Sequence, residues 1–435
     1  MKKLMSRPTN GLHGCLTVPG DKSISHRSLM LGAISHGQTT IQHFLPAEDC
    51  LSTLTALQGL GVDIQRTGTT VQVTGQGLHG LRPASGPLQM GNAGTATRLL
   101  AGLLAGQPFD STLIGDASLS QRPMERVRQP LQLMGAELEL TAGHLPMSIH
   151  GRNLHGRRSQ MAVASAQVKS ALILAAIQAD APSTIVEKLP TRDHTERLLT
   201  AFGAEVATAA DQRTITVQPQ PQLIGQPVDV PGDFSSAAFF MTAASIVPGS
   251  RVTLQRVGLN PTRTGLLRVL QRMGGQVQID RLANVGEPLG NVTVTAANLR
   301  PITLTAADIP AVIDELPLVA LLAATADGIS RISGAGELRV KETDRIATIC
   351  SELRKLGVAI DEQPDGFVID GRPAWQVKDS KLVSHGDHRI GMMAAVAALR
   401  LTTPLELTGA AAIDISYPTF FEDLSRLLPK TEVRV

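Results

Sequence analysis

Hydrophobic and polar positions repeat one pattern along the chain: an apolar helix, a glycine, and then a strand in which apolar and polar residues alternate. A glycine just past the last helical residue suits the left-handed backbone conformation in which many helices end. The alternation that follows is typical of a half-buried strand. The glycines that separate helix from strand in these copies are Gly61, Gly135, Gly203, Gly274 and Gly357.

Six copies would fill the chain, because their spacing is roughly 70 residues and the chain has 435 residues. The last copy is expected to end in a helix from Phe420 to Leu428, without a following strand. Solenoid repeats are only about 20–50 residues long, so each copy is predicted to be a small α/β module. Prolines and glycines interrupt the pattern between Pro227 and Gly232. We therefore predict two lobes of three modules, with a ligand site in the cleft between them.

Composition excludes several classes of protein. Hydrophobic residues make up 43% of the chain and charged residues 18%, with a formal net charge of +2. There is thus no basic field that would attract nucleic acid. Residues 1–8 lack the apolar core of a signal peptide, and the longest apolar stretch, residues 316–326, contains Pro317 and is far too short to span a membrane. We expect a cytoplasmic protein that binds neither nucleic acid nor a membrane.

Metal and cofactor motifs are absent from the sequence. Cys15, Cys50 and Cys350 are far apart and form no CxxC pair, which argues against a disulfide framework or a zinc site. Cys50 and Cys350 lie at helix-face spacings and are expected in the core. His385 and His388 have no evident third ligand, so no metal site is expected. GxSxG does not occur, and no GxGxxG lies between a predicted strand and a predicted helix, which argues against an α/β-hydrolase and a dinucleotide enzyme.

Cations and small polar residues gather instead at the starts of predicted helices. Backbone N–H groups at a helix start bind anions, and lysine, arginine and serine side chains add further donors. Taken one by one, the segments can also be explained by simple helix capping or surface ion pairing. The segments are residues 19–27, 91–98, 165–170, 192–197, 341–345 and 386–389.

Three further features point to chemistry. Arg122 precedes Pro123, which restricts its backbone to an extended conformation and suits a side chain held out into a cleft. Lys341 and Arg345 are four residues apart at a predicted helix start, where like charges on one face repel unless an anion lies between them. Asp314 lies within an apolar helix predicted over residues 309–322, where a carboxylate needs a partner or a function.

Together these segments resemble the 5-enolpyruvylshikimate-3-phosphate synthase family, also called the 3-phosphoshikimate 1-carboxyvinyltransferases. The matching segments run in the family's order from residue 19 to Pro418, and the run Val-Lys-Glu-Thr-Asp-Arg at 340–345 is especially specific. The resemblance implies a two-lobed, inside-out α/β barrel of six βαβαββ repeats, three per lobe in a pseudo-threefold arrangement. It also implies that residues 1–19 and 231–435 form one lobe, that residues 20–230 form the other, and that the active site lies in the cleft between them.

The resemblance further implies the reaction. The enolpyruvyl group of phosphoenolpyruvate is transferred to the 5-hydroxyl of shikimate 3-phosphate through a tetrahedral intermediate, and phosphate is released. This step belongs to the shikimate pathway, which leads to chorismate and the aromatic amino acids. The resemblance implies no metal and no organic cofactor. The expected partners are these small-molecule substrates alone, and we expect a monomer.

Site residues follow from the resemblance by motif. The implied catalytic residues are Asp314, Glu342 and Lys22. The residues implied to bind shikimate 3-phosphate are Lys22, Ser23, Arg27, Ser165, Ala166, Gln167, Arg192, Asp314 and Lys341. The residues implied to bind phosphoenolpyruvate are Lys22, Gly94, Arg122, Gln167, Arg345 and Arg389.

Two alternatives stay open at this point. UDP-N-acetylglucosamine enolpyruvyl transferases usually carry a reactive cysteine before an Arg-Pro pair, and residues 116–123 contain none. A non-catalytic phosphometabolite-binding protein would gain nothing from the carboxylates of Asp314 and Glu342 beside anionic ligands.

Some family members also carry an Asn and a Lys where this chain has Glu337 and Ile415, so no C-terminal catalytic lysine is assigned.

Overall fold

The computed structural model of the chain describes residues 2–284 and 286–428. These residues form two compact units. The terminal unit comprises the described residues within 1–19 and 231–435, and the central unit comprises residues 20–230. The described strands form six sheets, five with four strands and one with three, and each unit contains three of them. The prediction of six α/β modules is thereby confirmed.

The three modules of the central unit share the order strand, helix, strand, helix, strand, strand. In the first module, the opening strand comes from the end of the unit, and the elements are Pro227–Asp229, Lys22–Ala33, His36–Gln42, Glu48–Gly59, Asp63–Thr67 and Thr70–Gln76. The second consists of Leu88–Gln89, Gly94–Leu104, Asp110–Ile114, the 3-10 turn Leu119–Gln121, Glu125–Gln132, Glu137–Thr141 and His144–His150. The third consists of Arg158–Gln160, Ala166–Ala176, Ser183–Val186, His194–Ala201, Val206–Thr208 and Thr214–Val217.

The terminal unit follows the same order with short 3-10 turns added. Its first module consists of His13–Thr17, Phe234–Ile246, Arg251–Gly258, Gly265–Arg272, Gln276–Leu282 and Leu289–Thr295. The second consists of Thr303–Leu304, Ile309–Val312, the 3-10 turn Ile313–Glu315, Leu316–Ala323, Ile329–Ile332, the 3-10 turn Gly336–Val340, Arg345–Lys355, Ala359–Gln363 and Gly366–Asp370. The third consists of Lys381–Val383, His388–Ala398, Glu406–Thr408, the 3-10 turn Ala410–Ile415 and Phe420–Arg426, together with Lys2–Lys3 from the start of the chain.

All four-stranded sheets have one topology. The opening strand pairs in parallel with the second strand, which pairs antiparallel with the fourth, and the third strand pairs antiparallel with the fourth at the other edge. The sixth module differs because it ends in the helix Phe420–Arg426. The antiparallel place beside Glu406–Thr408 is taken by Lys2–Lys3, with Lys2 opposite Leu407.

The glycines of the sequence repeat have the backbone conformation that was predicted. Their φ angles are +85° at Gly61, +93° at Gly135, +100° at Gly203, +80° at Gly274 and +85° at Gly357. A residue with a side chain is strained in this left-handed region, whereas glycine is not. In five of the six modules, these glycines therefore lie between the last helix and the closing pair of strands.

Each unit has one hydrophobic core. The first helix of a module is buried along nearly its whole length, and in Phe234–Ile246 every residue is buried. Polar side chains on such helices are therefore confined largely to their starts. Cys50 and Cys350 are buried, as predicted. Among the described residues, no helix is both long and apolar enough to cross a membrane.

The helix predicted over residues 309–322 is wrong in detail. The chain forms a helical turn at Ile309–Val312, a 3-10 turn at Ile313–Glu315 and a separate helix at Leu316–Ala323. A proline has no N–H to donate and favours the first turn of a helix. Pro317 accordingly lies in the first turn of the third segment. Asp314 thus lies on a tight turn rather than on the side of a long helix.

Candidate active site

In the central unit, predicted site residues lie at the starts of the buried helices. Lys22 and Gly94 are the first residues of their helices, and Ser165 is the N-cap of Ala166–Ala176. The Ser165 hydroxyl accepts a hydrogen bond from the Val168 N–H at 3.4 Å. The first N–H groups of a helix have no partner within the helix and carry partial positive charge. Each helix start therefore offers donors to an anion.

Arg27 is held in place by the neighbouring helices. Its Nε donates to Thr195 Oγ1 at 2.7 Å, its Nη2 donates to Ser170 Oγ at 2.8 Å, and its Nη1 donates to the Ser23 carbonyl oxygen at 3.0 Å. The side chain is buried. The guanidinium orientation is therefore fixed before any substrate binds.

Lys22 is paired with a carboxylate that the sequence did not reveal. Its Nζ lies 2.9 Å from Asp49 Oδ2. Asp49 is in the first turn of Glu48–Gly59, where an acidic residue is usually explained by the helix dipole alone. The pairing arises from the packing of this helix against Lys22–Ala33, which sequence periodicity does not show.

The amide of Gln167 also has a fixed orientation. Arg98 Nη1 donates to Gln167 Oε1 at 2.6 Å, and Gln167 Nε2 donates to Thr95 Oγ1 at 2.9 Å. Arg98 also donates to the Pro123 carbonyl oxygen at 3.3 Å. Arg98 was within a segment singled out from the sequence but received no role. It links the helix Gly94–Leu104 to Gln167.

Arg122 has the extended backbone expected before proline, with φ −82° and ψ 140°. Its guanidinium is buried, and Nη2 donates to Asn92 Oδ1 and, at 3.4 Å, to Ser118 Oγ. A Cβ atom added to Gly94 would lie 2.8 Å from Arg122 Nη1. Gly94 is thus needed for the close approach of this guanidinium to the helix start.

Arg192 lies in the segment that joins the strand Ser183–Val186 to the helix His194–Ala201. It is half-buried and precedes the N-cap residue Asp193. The predicted start of a helix in this segment is confirmed.

In the terminal unit, three carboxylates surround the guanidinium of Arg345. Arg345 Nε donates to Asp387 Oδ2 at 2.7 Å, Nη2 donates to Glu342 Oε2 at 2.6 Å, and Nη1 lies 3.7 Å from Asp314 Oδ1. The Arg345 side chain is only 1% exposed. The structure thus brings together Asp314, Glu342 and Arg345, which the sequence had singled out separately.

The charges of this cluster reinforce one another. Burial alone would lower the pKa of Arg345, but Asp387, Glu342 and Asp314 outweigh it and raise that pKa. Burial would likewise raise the pKa of Asp387, but Arg345 outweighs it and lowers that pKa. Asp387 also caps the helix His388–Ala398 by accepting the Arg389 N–H at 2.8 Å. The Asp387 carboxylate is therefore ionised, and both of its oxygens are used in holding Arg345 and capping this helix.

Arg389 and Lys341 both interact with Asp314. Arg389 Nη1 donates to the Asp314 carbonyl oxygen at 2.8 Å, and Nη2 lies 3.9 Å from Asp314 Oδ2. Burial lowers the pKa of Lys341, and Arg345 lowers it further, whereas Asp314 and Glu342 raise it. The ammonium of Lys341 therefore interacts with Asp314 and Glu342, two of the three carboxylates around Arg345.

The geometric argument for Lys341 and Arg345 is wrong. Lys341 follows the 3-10 turn Gly336–Val340 in an extended conformation, whereas the helix begins only at Arg345. Asp344 is the N-cap and accepts the Ala347 N–H at 3.1 Å. The two cations are therefore not neighbours on one helix face, and their i,i+4 spacing carries no information about an anion.

A second group of buried charges supports Arg389. Glu315 is fully buried, and its Oε1 lies 3.7 Å from both Arg389 Nη1 and Arg263 Nη1 and accepts from the Ser235 hydroxyl. Arg263 Nη2 donates to the same hydroxyl at 2.7 Å. Arg263 could not be recognised from the sequence, because its partners Ser235 and Glu315 are distant from it along the chain. Glu315 was visible only as the neighbour of Asp314.

The arrangement in the terminal unit can transfer protons. The side chains of Asp314 and Glu342 are 15% and 21% exposed, whereas Asp387 is fully buried. Of the three carboxylates around Arg345, Asp314 and Glu342 are therefore the two that are reachable from solvent. Among residues 2–284 and 286–428, no group of three or more histidines, cysteines or acidic residues could hold a metal ion.

Comparison with known proteins assigns the family. The family model described as EPSP synthase (3-phosphoshikimate 1-carboxyvinyltransferase) matches residues 6–424. The chain belongs to this family. It is 70% identical to the 3-phosphoshikimate 1-carboxyvinyltransferase of Lactiplantibacillus plantarum over 427 residues, which is 98% of this chain and 99% of that protein.

Solved structures agree with the EPSP synthase fold. The EPSP synthase of Acinetobacter baumannii is 41% identical to this chain, with a TM-score of 0.86 and coverage of 98% of both chains. The enolpyruvyl transferase NikO of Streptomyces tendae has a TM-score of 0.78 at 17% identity, covering 98% of this chain and 97% of that one. At that identity the likeness shows the fold alone. The two-lobed fold of six repeats implied by the sequence resemblance is confirmed.

Proposed function

We propose that the chain transfers the enolpyruvyl group of phosphoenolpyruvate to the 5-hydroxyl of shikimate 3-phosphate and releases phosphate. The observation that carries the proposal is the cluster of Asp314 and Glu342 around the buried Arg345, in a chain 70% identical to a 3-phosphoshikimate 1-carboxyvinyltransferase. In a protein that only bound phosphorylated metabolites, two solvent-reachable carboxylates beside the ligands would lower the binding affinity, because they would repel the anionic ligands. Acid–base catalysis requires such carboxylates.

Electrostatics supports the pair of substrates. Each carries a phosphate and a carboxylate, so together they bring about five negative charges, which must be neutralised when water is excluded. Both units would serve one reaction, with cations from each. The proposed cations are Lys22, Arg27, Arg122, Arg192, Lys341, Arg345 and Arg389.

For shikimate 3-phosphate, the proposed contacts come mainly from the helix starts of the central unit. Their support is the fixed orientation of Arg27 and of the Gln167 amide, together with the N–H donors after Ser165. The proposed residues are Lys22, Ser23, Arg27, Ser165, Ala166, Gln167, Arg192, Asp314 and Lys341.

For phosphoenolpyruvate, the proposed contacts are arginines that can bind a carboxylate or phosphate with two parallel hydrogen bonds. Their support is the close approach of Arg122 to the helix start at Gly94 and the placement of Arg345 and Arg389 beside Asp314. Lys22 and Gln167 complete the proposed set.

The proposed chemistry assigns one proton transfer to each reachable carboxylate. Glu342 protonates the methylene carbon of phosphoenolpyruvate, Asp314 takes the proton of the 5-hydroxyl, and the hydroxyl oxygen attacks the adjacent carbon to give the tetrahedral intermediate. Lys341 orients the hydroxyl, and Lys22 contacts both substrates. Loss of a methyl proton and of phosphate then forms the enolpyruvyl product. These steps require no redox centre or group carrier, and we propose a cytoplasmic, monomeric enzyme without cofactor.

A phosphate-release assay tests the proposal. With phosphoenolpyruvate as donor, shikimate 3-phosphate should support continuous release of phosphate, whereas UDP-N-acetylglucosamine should support none above background. Product formation is checked by mass spectrometry of the acceptor. Release with UDP-N-acetylglucosamine alone would assign the chain to the other acceptor. No release with either acceptor, despite binding, would favour a non-catalytic protein.

The Gly94→Ala variant should weaken phosphoenolpyruvate binding selectively. The added Cβ would lie 2.8 Å from Arg122 Nη1 and 3.3 Å from Leu119 Cδ1, so the guanidinium must move. We expect KM for phosphoenolpyruvate to rise by about tenfold or more, with KM for shikimate 3-phosphate nearly unchanged. Gly86→Ala is the control, because a Cβ there meets no atom within 4 Å. Equal KM values for Gly94→Ala and the control would contradict the assignment of Arg122.

A further inference from the structure

In the central unit, one buried ammonium has no role in the proposed chemistry. Lys169 lies in the first part of the helix Ala166–Ala176 and is 1% exposed. Its three N–H donors are matched by three acceptors. These are Glu196 Oε1 at 2.7 Å, Glu187 Oε2 at 3.1 Å and the Thr191 carbonyl oxygen at 3.3 Å. Lys169 is thus fully engaged within the protein.

The three acceptors lie along one segment of the chain. Glu187 directly follows a strand, Thr191 lies in the segment without regular structure, and Glu196 is in the first turn of the next helix. The Thr191 hydroxyl donates to the remaining oxygen of Glu187. Lys169 therefore ties the two ends and the middle of residues 187–196 to a single point.

This cluster adjoins the contact that holds Arg27. Ser170 follows Lys169 along its helix, and the hydroxyls of Ser170 and Thr195 lie 2.7 Å apart. Both hydroxyls accept hydrogen bonds from Arg27. The ion cluster and the Arg27 contact are thus adjacent links between the same two helices. The tied segment also carries Arg192.

Stability does not explain why charges occupy this place. Replacing a buried ion pair by apolar residues of similar volume is often neutral or stabilising, because removing ions from water is costly. The cluster also has one more carboxylate than ammonium. Burial raises the pKa of Glu187, although Lys169 and the Thr191 hydroxyl oppose that rise. The charges do provide conformational specificity. The Lys169 ammonium meets all three of its acceptors only when residues 187–196 adopt one particular conformation.

We infer that Lys169, Glu187 and Glu196 are positioning residues that fix Arg27 and Arg192 for the acceptor substrate. The inference rests on the proposed function, in which those two arginines bind shikimate 3-phosphate. The cluster touches no substrate. It acts by holding residues 187–196 in one arrangement before binding, so that no binding energy is spent on ordering them.

The test is the triple variant Lys169→Met, Glu187→Gln, Glu196→Gln, which removes all three charges with little change in size. Since the ammonium and both carboxylates are removed together, none of the three charges of the cluster is left without its partner. We expect KM for shikimate 3-phosphate to rise by about tenfold, KM for phosphoenolpyruvate to stay within about twofold, and kcat at saturating acceptor to be largely retained. Calorimetric binding of shikimate 3-phosphate alone should weaken by the same factor as KM rises.

Gln178→Met is the matched control. Gln178 is a buried polar residue just past the other end of the same helix, and its amide donates to the Leu103 and Leu174 carbonyl oxygens. This variant should lose stability but keep both KM values. Where the triple variant folds poorly, Glu196→Gln alone, which leaves Lys169 paired with Glu187, is judged by the same ratio of KM values.

A folded triple variant, or Glu196→Gln in its place, with an unchanged KM for shikimate 3-phosphate would overturn the inference. So would an equal rise in both KM values, since that indicates a general loss of structure. Failure of the proposed function is recognised separately. In that case the unmodified chain itself releases no phosphate with shikimate 3-phosphate, whereas failure of the inference leaves that activity intact.

Discussion

Asp314→Asn and Glu342→Gln should each lower the rate of phosphate release by about 10²–10⁴-fold, the usual contribution of one general acid or base. An amide of the same shape can neither take the hydroxyl proton nor protonate the methylene carbon. Both side chains are partly exposed beside the buried Arg345, so their loss of charge should not prevent folding. Rates are measured at saturating substrates, and shikimate 3-phosphate binding is measured by calorimetry.

The control for these two variants is the same kind of substitution at a carboxylate that has no assigned role. Asp361 is exposed on the strand Ala359–Gln363 of the same unit, and Asp361→Asn should retain the full rate. If Asp314→Asn or Glu342→Gln also releases phosphate at nearly the unmodified rate, the corresponding proton transfer is assigned to the wrong residue. A large loss of substrate binding without a loss of kcat would instead assign that carboxylate to binding.

Asp387→Ala should destabilise the terminal unit by about 3–5 kcal/mol, the usual cost of removing one partner of a buried ion pair. Arg345 is almost fully buried and donates two hydrogen bonds to Asp387, at 2.7 Å and 3.2 Å. The substitution also removes the N-cap of the helix His388–Ala398. Denaturant unfolding measures the change. Asp387→Asn should lose less, because asparagine retains the cap and an acceptor for Arg345.

The pH dependence gives an independent check. Since Arg345 lowers the pKa of Asp387 in the folded chain, the stability gained from the pair is fully present above the ordinary aspartate pKa of about 3.9. It is lost as the pH falls through the lowered value. The stability difference between the unmodified chain and Asp387→Asn should therefore shrink in acid.

The control for the Asp387 variants is Asp370→Asn, which breaks an exposed ion pair with Arg372 and should change stability little. An Asp387→Ala protein as stable as this control would contradict the argument.

Local features of the sequence predicted the modules well. A glycine after an apolar helix has one main physical use, which is why Gly61 and its counterparts identified the helix ends. The helix starts at Lys22, Gly94 and Ala166 were also recognisable, because small polar residues and turns precede apolar runs there. These signals act within a few residues of the chain, and sequence periodicity records them directly.

Contacts between distant segments could not be predicted in the same way. Arg345 and Asp387 are 42 residues apart, and each could be explained locally as a helix-start residue. The i,i+4 argument for Lys341 failed because Asp344 caps the helix after Lys341, which places Lys341 outside it. Lys169 gave no signal at all, since a lysine near a helix start looks like any solvated charge until its burial is known.

The pairing of Lys2–Lys3 with Glu406–Thr408 has a consequence for synthesis on the ribosome. The strand Lys2–Lys3 is made before the central unit and its partner Glu406–Thr408 after it, so the sixth sheet cannot close until the C-terminal module has been made. The central unit, by contrast, is one continuous stretch, and domains generally fold as units during synthesis. We therefore expect the strands Lys2–Lys3 and His13–Thr17 to remain unpaired while the central unit, residues 20–230, folds first.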